Sequence, residues 1–207
     1  MHIQPLFAIT DLEELHQHMR DYPLATTVVA SAGGLEINLL PLDLCTNGPF
    51  GTLSGHVARS HSLWSEGCKK CEATVIFQSP NAYISPRWYV SGQTTGRNAP
   101  SWNYVAVQAR GTLRFVEGSE WMAAHLNRLT AAQEDKRPQP WSMAEASPDF
   151  LTQTAHRLVG FEIEIRELVG KKFLSQQRTE ADRSNLVSSL MLDMAPGSRA
   201  IASLIKP

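Results

Sequence analysis

The 207-residue sequence lacks the features that mark several large classes of protein. No apolar run approaches the roughly 18 residues that mark a membrane-spanning helix, so we expect no membrane segment. The N-terminus, MHIQPLFAIT, has neither the basic start nor the long apolar stretch of a signal peptide. We therefore expect a cytoplasmic protein.

Cysteine is scarce, and its spacing gives no framework for a secreted fold. Cys45, Cys68 and Cys71 are an odd number, which fits no set of paired disulfides. Cys68 and Cys71 form a CxxC motif beside two lysines that would favour the thiolate. No second pair follows to complete a four-ligand zinc site, so we expect no metal. A single short motif also matches by chance, and we leave its role open.

Net charge is nearly absent, but the charges are unevenly placed. The chain has 19 basic and 20 acidic residues, without the basic excess of a general nucleic-acid binder. Residues 44–116 carry seven basic and two acidic side chains, and residues 73–116 carry no carboxylate. Two interpretations stay open: strands whose polar faces use Ser, Thr, Gln and Arg, or a site for an anion that nearby carboxylates would repel.

The hydrophobic pattern predicts a helix at the N-terminus, followed by a change to strand periodicity. Thr10 and Glu13 fit a capping box, and the helix is predicted to end before Pro23. His16 and His18 point to different sides of this helix, so we expect both to lie in solvent.

The rest of the chain predicts a mainly β protein with added helices (α+β). The predicted strands are 24–31 and 35–44 joined at Gly33-Gly34, then 52–59, 73–78 with both faces buried, 102–116 bent at Gly111, and 160–168. Residues 88–101 are predicted to form a polar loop, and helices to begin at Ser119, to span 149–158, and to span 180–192. This order suggests one β-barrel domain over residues 1–207 with peripheral helices, including a C-terminal helical extension from about residue 180.

No hydrolase, P-loop or dinucleotide motif is present, so four short neutral-to-basic stretches are the candidates for function. The first is GHVARSHSLW, residues 55–64. His56, Arg59 and His61 offer donors to a phosphate, and Arg59 lies at the end of a predicted strand that would fix it for a bidentate contact. The alternative is a strand that ends in a polar turn.

Aromatic residues dominate the second and third stretches, NAYISPRWY at 81–89 and PSWNY at 100–104. A planar heterocycle needs an aromatic face and polar groups at its edge. Trp88 and Trp102 offer the faces, and Ser85 and Asn103 offer the polar groups. The alternative is that these aromatics close the ends of a barrel or form a dimer contact.

The fourth stretch, KKFLSQQR at 171–178, is basic. Lys171, Lys172 and Arg178 lie in a segment without a carboxylate, at the point where the last strand gives way to a helix. A helix start can bind an anion; the alternative is a solvated basic loop.

In this order, the stretches resemble the PaiB family, described as FMN-binding negative transcriptional regulators with the split-barrel flavin-binding fold. The resemblance covers residues 1 to about 190 and rests on MHIQPLFAITD, GHVARSHSLW, YISPRWY, PSWNY and FLSQQRTEADR. The sequence departs from the family pattern at four places. His2 replaces an aromatic, Pro5 falls one place late, His61-Ser62 replaces Asn-Pro, and Gln177 replaces Asn.

The resemblance implies an FMN-binding split β-barrel with peripheral helices, acting as a homodimer with FMN at the subunit interface. It implies that Ser85 meets the ring edge, that Trp88 stacks on the ring, and that Arg59 holds the phosphate. The full set of implied cofactor-binding residues is His56, Val57, Ala58, Arg59, His61, Tyr83, Ser85, Trp88, Trp102, Asn103, Lys172, Ser175, Gln176 and Arg178.

Three functions stay open from the sequence. The first is the regulatory role in the family description, although we do not expect direct DNA binding, because Arg183 is the only cation of the final predicted helix. The second is a flavin-dependent oxidoreductase or flavin reductase, for which no catalytic residue is identified. The third is a haem-binding split barrel with His56 or His61 as axial ligand.

Overall fold

The computed structural model describes residues 1–31, 34–65 and 70–207. Gly33 of the predicted hairpin turn and Cys68 of the CxxC motif lie outside these residues. The chain forms two compact units. The first comprises Met1–His18, Gln78–Val107 and Val169–Pro207, and the second comprises Met19–Phe77 and Gln108–Leu168. The single-domain organisation stays a prediction.

The strands and helices include those that the sequence predicts, together with several shorter elements that it does not predict. In chain order they are β1 Ala8–Ile9, α1 Leu12–Asp21, β2 Leu24–Ser31, β3 Gly34–Pro41, β4 Asp43–Cys45, β5 Thr52–Ala58, α2 Ser62–Ser65, β6 Lys70–Gln78, β7 Ala82–Ile84, α3 Val90–Thr95, β8 Ser101–Val116, α4 Ser119–Glu134, α5 Pro148–Arg157, β9 Leu158–Phe173, α6 Glu180–Leu192 and α7 Ser198–Leu204. Short 3-10 turns occupy Pro5–Phe7, Pro86–Trp88 and Met143–Glu145.

The strands form an antiparallel sheet in the order β3-β2-β6-β8-β9-β5-β4. The hairpin of β2 and β3 pairs Leu24 with Pro41 at one end and Ser31 with Gly34 at the other. In the part of the chain that is described, β3 and β4 are the two ends of this order, so the sheet is open. The mainly β architecture with added helices confirms the predicted fold class.

The core of the second unit is built from the alternate side chains of these strands. Its fully buried members include Val29, Leu53, Val75, Phe77, Leu113, Phe161 and Ile163. Gly55 in β5 lies against Phe161, and a Cβ at Gly55 would stand 2.4 Å from that ring. The absence of a side chain at Gly55, in the GHVAR stretch, therefore leaves room for the Phe161 ring in the core.

In the first unit, two short strands pair with long ones. β1 pairs with the end of β9 through Ala8 and Lys171. β7 pairs with the start of β8, where Tyr83 lies opposite Trp102. The second and third candidate stretches are therefore neighbouring strands of this unit.

Two predictions for the N-terminal helix are wrong. The carboxylate of Asp11 accepts the hydrogen bond from the Glu14 amide at 3.2 Å, so the cap is Asp11 and the helix starts one residue later than a Thr10 cap requires. His16 and His18 are buried, with 4% and 8% of their surface exposed. Other parts of the protein therefore cover α1 on both of the sides where these histidines lie.

The strand and loop predictions need smaller corrections. In β6 only alternate residues, Ala73, Val75 and Phe77, are fully buried, so the strand has one buried face and one half-covered face. The loop predicted at 88–101 contains the short helix α3.

The helix predictions differ from the structure mainly at the helix ends. Helix α4 begins at Ser119 as predicted, but its N-cap is Gly118. Leu158, predicted to end a helix, is the first residue of β9. Helix α7 was not predicted.

Candidate functional site

The predicted cofactor-binding residues divide between the two units, and each group is described within its own unit. The first unit contains Tyr83, Ser85, Trp88, Trp102, Asn103, Lys172, Ser175, Gln176 and Arg178. The second unit contains His56, Val57, Ala58, Arg59 and His61.

A buried polar cluster joins three candidate stretches of the first unit. Ser175 has a left-handed backbone, with φ of 61°, and its hydroxyl lies 2.8 Å from the Tyr89 hydroxyl. The Asn103 side-chain amide donates to the same Ser175 oxygen at 3.0 Å. Asn103, Tyr89 and Ser175 are each at most 1% exposed. Their polar groups satisfy one another, and Tyr89 is a member that sequence reasoning missed.

Arg178 contacts this cluster from its outer side. Its guanidinium lies 4.3 Å from the centre of the Tyr89 ring, and its Nη1 donates to Asn98 Oδ1 at 2.8 Å. Among the described residues, the buried donors Arg178 Nε and Asn98 Nδ2 have no hydrogen-bond partner. Buried donors of native proteins are nearly always satisfied, so this pair fits an acceptor from a ligand. Asn98 also borders a cleft of about 530 Å³, together with Arg87 and Gln93.

The turn between β9 and α6 is held by Gln176. Its side-chain oxygen accepts from the Leu174 amide at 2.8 Å, and its Nε2 donates to the carbonyl oxygens of Lys172 at 2.5 Å and Leu6 at 3.4 Å. The Lys172 ammonium pairs with Glu14. These two predicted residues therefore make contacts within the protein.

An exposed aromatic pair lies on β7 and β8. Tyr83 and Trp102 are 47% and 55% exposed, and their rings meet edge to face with centroids 5.9 Å apart. Beyond the end of β7, the Ser85 hydroxyl accepts from the Arg87 amide at 3.3 Å, and the Trp88 carbonyl accepts from Asn185 at 2.9 Å. Exposed aromatic faces of this kind suit a planar heterocycle.

In the second unit, β5 ends at Ala58 and places Arg59 at the surface. The Arg59 Nη1 lies 3.0 Å from Glu117 Oε2, with the two side chains 41% and 59% exposed. The guanidinium also lies 5.7 Å from the centre of the Trp64 ring. Val57 is buried in the core at 4% exposure, whereas Ala58 is exposed. Arg59 is therefore held by one exposed ion pair and retains donors for a phosphate.

The turn after Arg59 is fixed by strand β3. His61 Nδ1 accepts from the Leu63 amide at 3.1 Å and lies 3.6 Å from Glu36 Oε1. The Ser62 hydroxyl donates to the same Glu36 oxygen at 2.5 Å. The GHVARSH turn is thereby tied to β3.

His56 is paired with His125, a residue that sequence reasoning missed. His56 Nδ1 and His125 Nε2 are 3.0 Å apart, and the His125 ring stacks on Trp121 at 5.1 Å. Burial lowers the pKa of His56. Burial, followed by the effect of His56, lowers the pKa of His125 from 6.5 to about 4. Both rings are therefore neutral near pH 7 and share one hydrogen bond.

The two cysteines among the described residues differ in state, and the role of the CxxC pair stays open. Cys45 is free, and Cys71 is disulfide-bonded. Within residues 1–31, 34–65 and 70–207, no three His, Cys, Asp or Glu side chains are grouped so as to hold a metal ion. Over the same residues, none of the helices has the length and apolar character needed to cross a membrane.

The hydrogen-bond donors and aromatic rings of this chain are of the chemical types that bind FMN. The half-exposed Arg59 suits a phosphate, the exposed Tyr83 and Trp102 suit the flavin ring, and the unsatisfied donors on Arg178 and Asn98 suit carbonyl or phosphate oxygens. No carboxylate lies between residues 73 and 116 to repel an anion.

Comparison with known proteins identifies the family. Residues 1–167 match the family model described as "Putative FMN-binding domain". The protease synthase and sporulation protein PAI 2 of Bacillus subtilis is 29% identical over 208 residues, covering 100% of this chain and 97% of that protein. The resemblance stated from the sequence motifs is therefore confirmed.

Solved structures show the same fold at low sequence identity. The FAD and heme binding protein of Mycobacterium smegmatis has a TM-score of 0.56 at 12% identity, covering 87% of this chain and 79% of that one. The flavocytochrome Anf3 of Azotobacter vinelandii has a TM-score of 0.53 at 15% identity, covering 88% and 78%. These neighbours confirm the split-barrel fold, and the chain belongs to the FMN-binding family whose model it matches.

Proposed function

We propose that this protein is a cytoplasmic homodimer that holds FMN at its subunit interface and acts as a regulator of the PaiB type through the bound flavin. FMN as cofactor follows from the family. What we propose beyond this is that the protein is a dimer, that the flavin lies at the subunit interface, and that the protein has a regulatory role. When bound, FMN supplies reversible electron transfer, and this chain supplies the contacts that bind and orient it.

The observation that carries the proposal is an apolar stripe on β3. Leu35, Ile37 and Leu39 alternate along the strand, so they share one face, and they are 71%, 65% and 67% exposed. On the paired strand, Val28 lies opposite Ile37, and Ala30 lies opposite Leu35. An exposed apolar patch of this kind on a soluble protein typically marks an interaction surface. β3 is an end of the sheet order, and a second copy would cover it.

The predicted phosphate stretch contacts the same strand from its other face, since Glu36 is paired with the buried Val29. Glu36, between Leu35 and Ile37 on β3, accepts the hydrogen bond from Ser62 and lies near His61. The turn that follows Arg59 would therefore contact the edge strand on which we propose that the second copy packs. The exposed ring faces of Tyr83 and Trp102 of the partner subunit would then meet the flavin ring.

Direct DNA contact by α6 is not part of the proposal. Arg183 is the only Lys or Arg of α6, and its guanidinium donates to the carbonyl oxygens of Arg178 at 2.6 Å and Lys206 at 2.9 Å. Two of its five N–H donors are thereby engaged within the protein, and α6 offers no second cation to a phosphate backbone. Regulation would act through a change of the flavin or through another protein.

Subunit mixing tests where the flavin site lies. Arg59→Ala and Trp102→Ala are each expected to bind FMN poorly as homodimers. When the two variants are unfolded together and refolded, half of the dimers are mixed, and each mixed dimer regains one intact site. About a quarter of all sites should then bind FMN with wild-type affinity, measured by quenching of flavin fluorescence. If Arg59 and Trp102 of the same chain form the site, no binding is regained.

Dimerisation is tested separately by placing a charge on the stripe. Ile37→Asp is expected to sediment as a monomer, because burying an unpaired carboxylate in the interface carries a large free-energy cost. Leu192→Asp, at a residue on α6 that is 82% exposed, is the matched control and should remain a dimer. A wild-type protein that is monomeric at micromolar concentration, or that ignores saturating FMN, would refute the proposal.

A further inference from the structure

Helix α5 has an apolar side that is not buried. Leu151 and Ala155 are four residues apart and so share one face of the helix, yet none of the ten residues of α5 is buried. A surface helix normally buries its apolar face against the core. Here Leu151 and Ala155 line a cavity of about 380 Å³ in the second unit.

The walls of this cavity are mostly apolar. Its lining includes Val116, Met122, Leu158 and Val159, of which Met122 and Val159 belong to the buried core at 3% and 1% exposure. Ligand pockets typically measure roughly 300–1,000 Å³ and combine apolar walls with a few polar groups. The cavity therefore has the size and the walls to hold the apolar part of a small molecule.

One ion pair supplies most of the charge at this cavity. Arg59 and Glu117 both line it, 3.0 Å apart at their charged atoms, and both are substantially exposed. Such exposed pairs contribute little to stability, so Glu117 can turn to water when another anion arrives. The Arg59 guanidinium can bind a carboxylate through two parallel hydrogen bonds.

We propose that this cavity binds a small amphiphilic carboxylate. The apolar chain or ring lies against Leu151 and Ala155 of α5, and the carboxylate replaces Glu117 at Arg59. Medium-chain fatty acids and aromatic monocarboxylates have this chemistry. Because Arg59 is also the proposed phosphate contact, the carboxylate should compete with FMN; this consequence, unlike the cavity site, rests on the proposed function.

The charge requirement is tested by calorimetric titration of flavin-free protein with octanoate and with its neutral isostere octanamide. Octanoate should bind about tenfold more tightly than octanamide, and Arg59→Gln should remove that difference by weakening octanoate alone. Glu117→Gln should strengthen octanoate binding, because it removes the competing carboxylate. Equal affinity of octanoate for the wild type and Arg59→Gln would overturn the proposal.

The location is tested by filling the cavity. Leu151→Trp should abolish binding of both probes while the circular dichroism spectrum stays that of the wild type, and Ala155→Phe is a second filling variant on the same wall. Unchanged octanoate binding in a folded filling variant, or no binding to the wild type at millimolar octanoate, would overturn the proposal.

Competition with FMN separates this proposal from the previous one. Octanoate should raise the apparent Kd of FMN for the wild type. If octanoate binds in the cavity but leaves the FMN affinity unchanged, the assignment of the phosphate to Arg59 is wrong and the cavity site stands. If FMN does not bind at all, the octanoate titrations are unaffected.

Discussion

The buried histidine pair makes the stability of this protein depend on pH below neutrality. In the folded chain, the pKa of His125 is lowered from 6.5 to about 4, first by burial and then by His56. The folded state therefore binds fewer protons than the unfolded state, and stability falls as the pH falls. The contribution of His125 is complete above about pH 6.5 and is lost progressively between the unfolded and folded pKa values.

The magnitude follows from the two pKa values. A full shift from 6.5 to about 4 corresponds to about 3.4 kcal/mol at ~1.36 kcal/mol per unit. Between pH 8 and pH 5 the unfolded His125 becomes protonated and the folded one stays mostly neutral, so about 2 kcal/mol of this is lost. The His56 pKa is lowered in the same direction, and its 3.0 Å contact with His125 means that the two rings titrate as a pair.

The assay is urea unfolding followed by circular dichroism at pH 8 and at pH 5. The Gln side chain of His125→Gln keeps a polar group near His56 but cannot be protonated. Between pH 8 and pH 5, the free energy of unfolding of this variant should therefore fall by about 2 kcal/mol less than that of the wild type. His156→Gln, at an exposed residue of α5, is the matched control and should keep the wild-type dependence. The reasoning is refuted if the wild type and His125→Gln lose the same free energy of unfolding.

Three further predictions concern the flavin contact and the packing of the core. Arg59→Ala should weaken FMN binding about 10- to 150-fold, because it removes a charge-assisted hydrogen bond of about 1.5–3 kcal/mol. Riboflavin, which has no phosphate, should bind the variant and the wild type equally. Equal FMN affinity of the two proteins would place the phosphate elsewhere. Gly160→Ala should lower the free energy of unfolding by about 1–3 kcal/mol, because its Cβ would stand 2.1 Å from the Trp121 ring; a variant as stable as the wild type in urea would contradict this packing. Tyr89→Phe should cost about 1 kcal/mol of stability in the same assay through loss of the hydroxyl contact with Ser175; an unchanged midpoint would show that this contact contributes nothing.

The sequence predicted those parts of the fold that local signals specify. Helix α6 has the predicted bounds, because the Thr179 side chain caps it by accepting from the Asp182 amide. Helix α7 was missed because it is only seven residues long and its N-cap is Gly197, which has a φ of 107°. Its start is fixed by a hydrogen bond from Ser198 to Asp193 at 2.6 Å, which sequence periodicity does not show.

The candidate site was predictable in its stretches but not in its contacts. The sequence singled out Arg59 and Asn103 because their neighbours formed recognisable motifs. It missed His125, which lies 69 residues from its partner His56. The only local indication that His125 is buried is its position three residues after the buried Met122 on the same helix. Contacts between distant segments depend on tertiary packing, which local pattern does not determine.

The buried cluster of Tyr89, Asn103 and Ser175 also limits how this protein can be re-engineered. Each residue comes from a different stretch of sequence, and the hydroxyl of Ser175 is bonded to both of the others. A chimera that imports only one of these stretches from a distant relative would leave a buried donor or acceptor without its counterpart. The three segments therefore form one exchangeable cassette, although 86 residues separate its first member from its last.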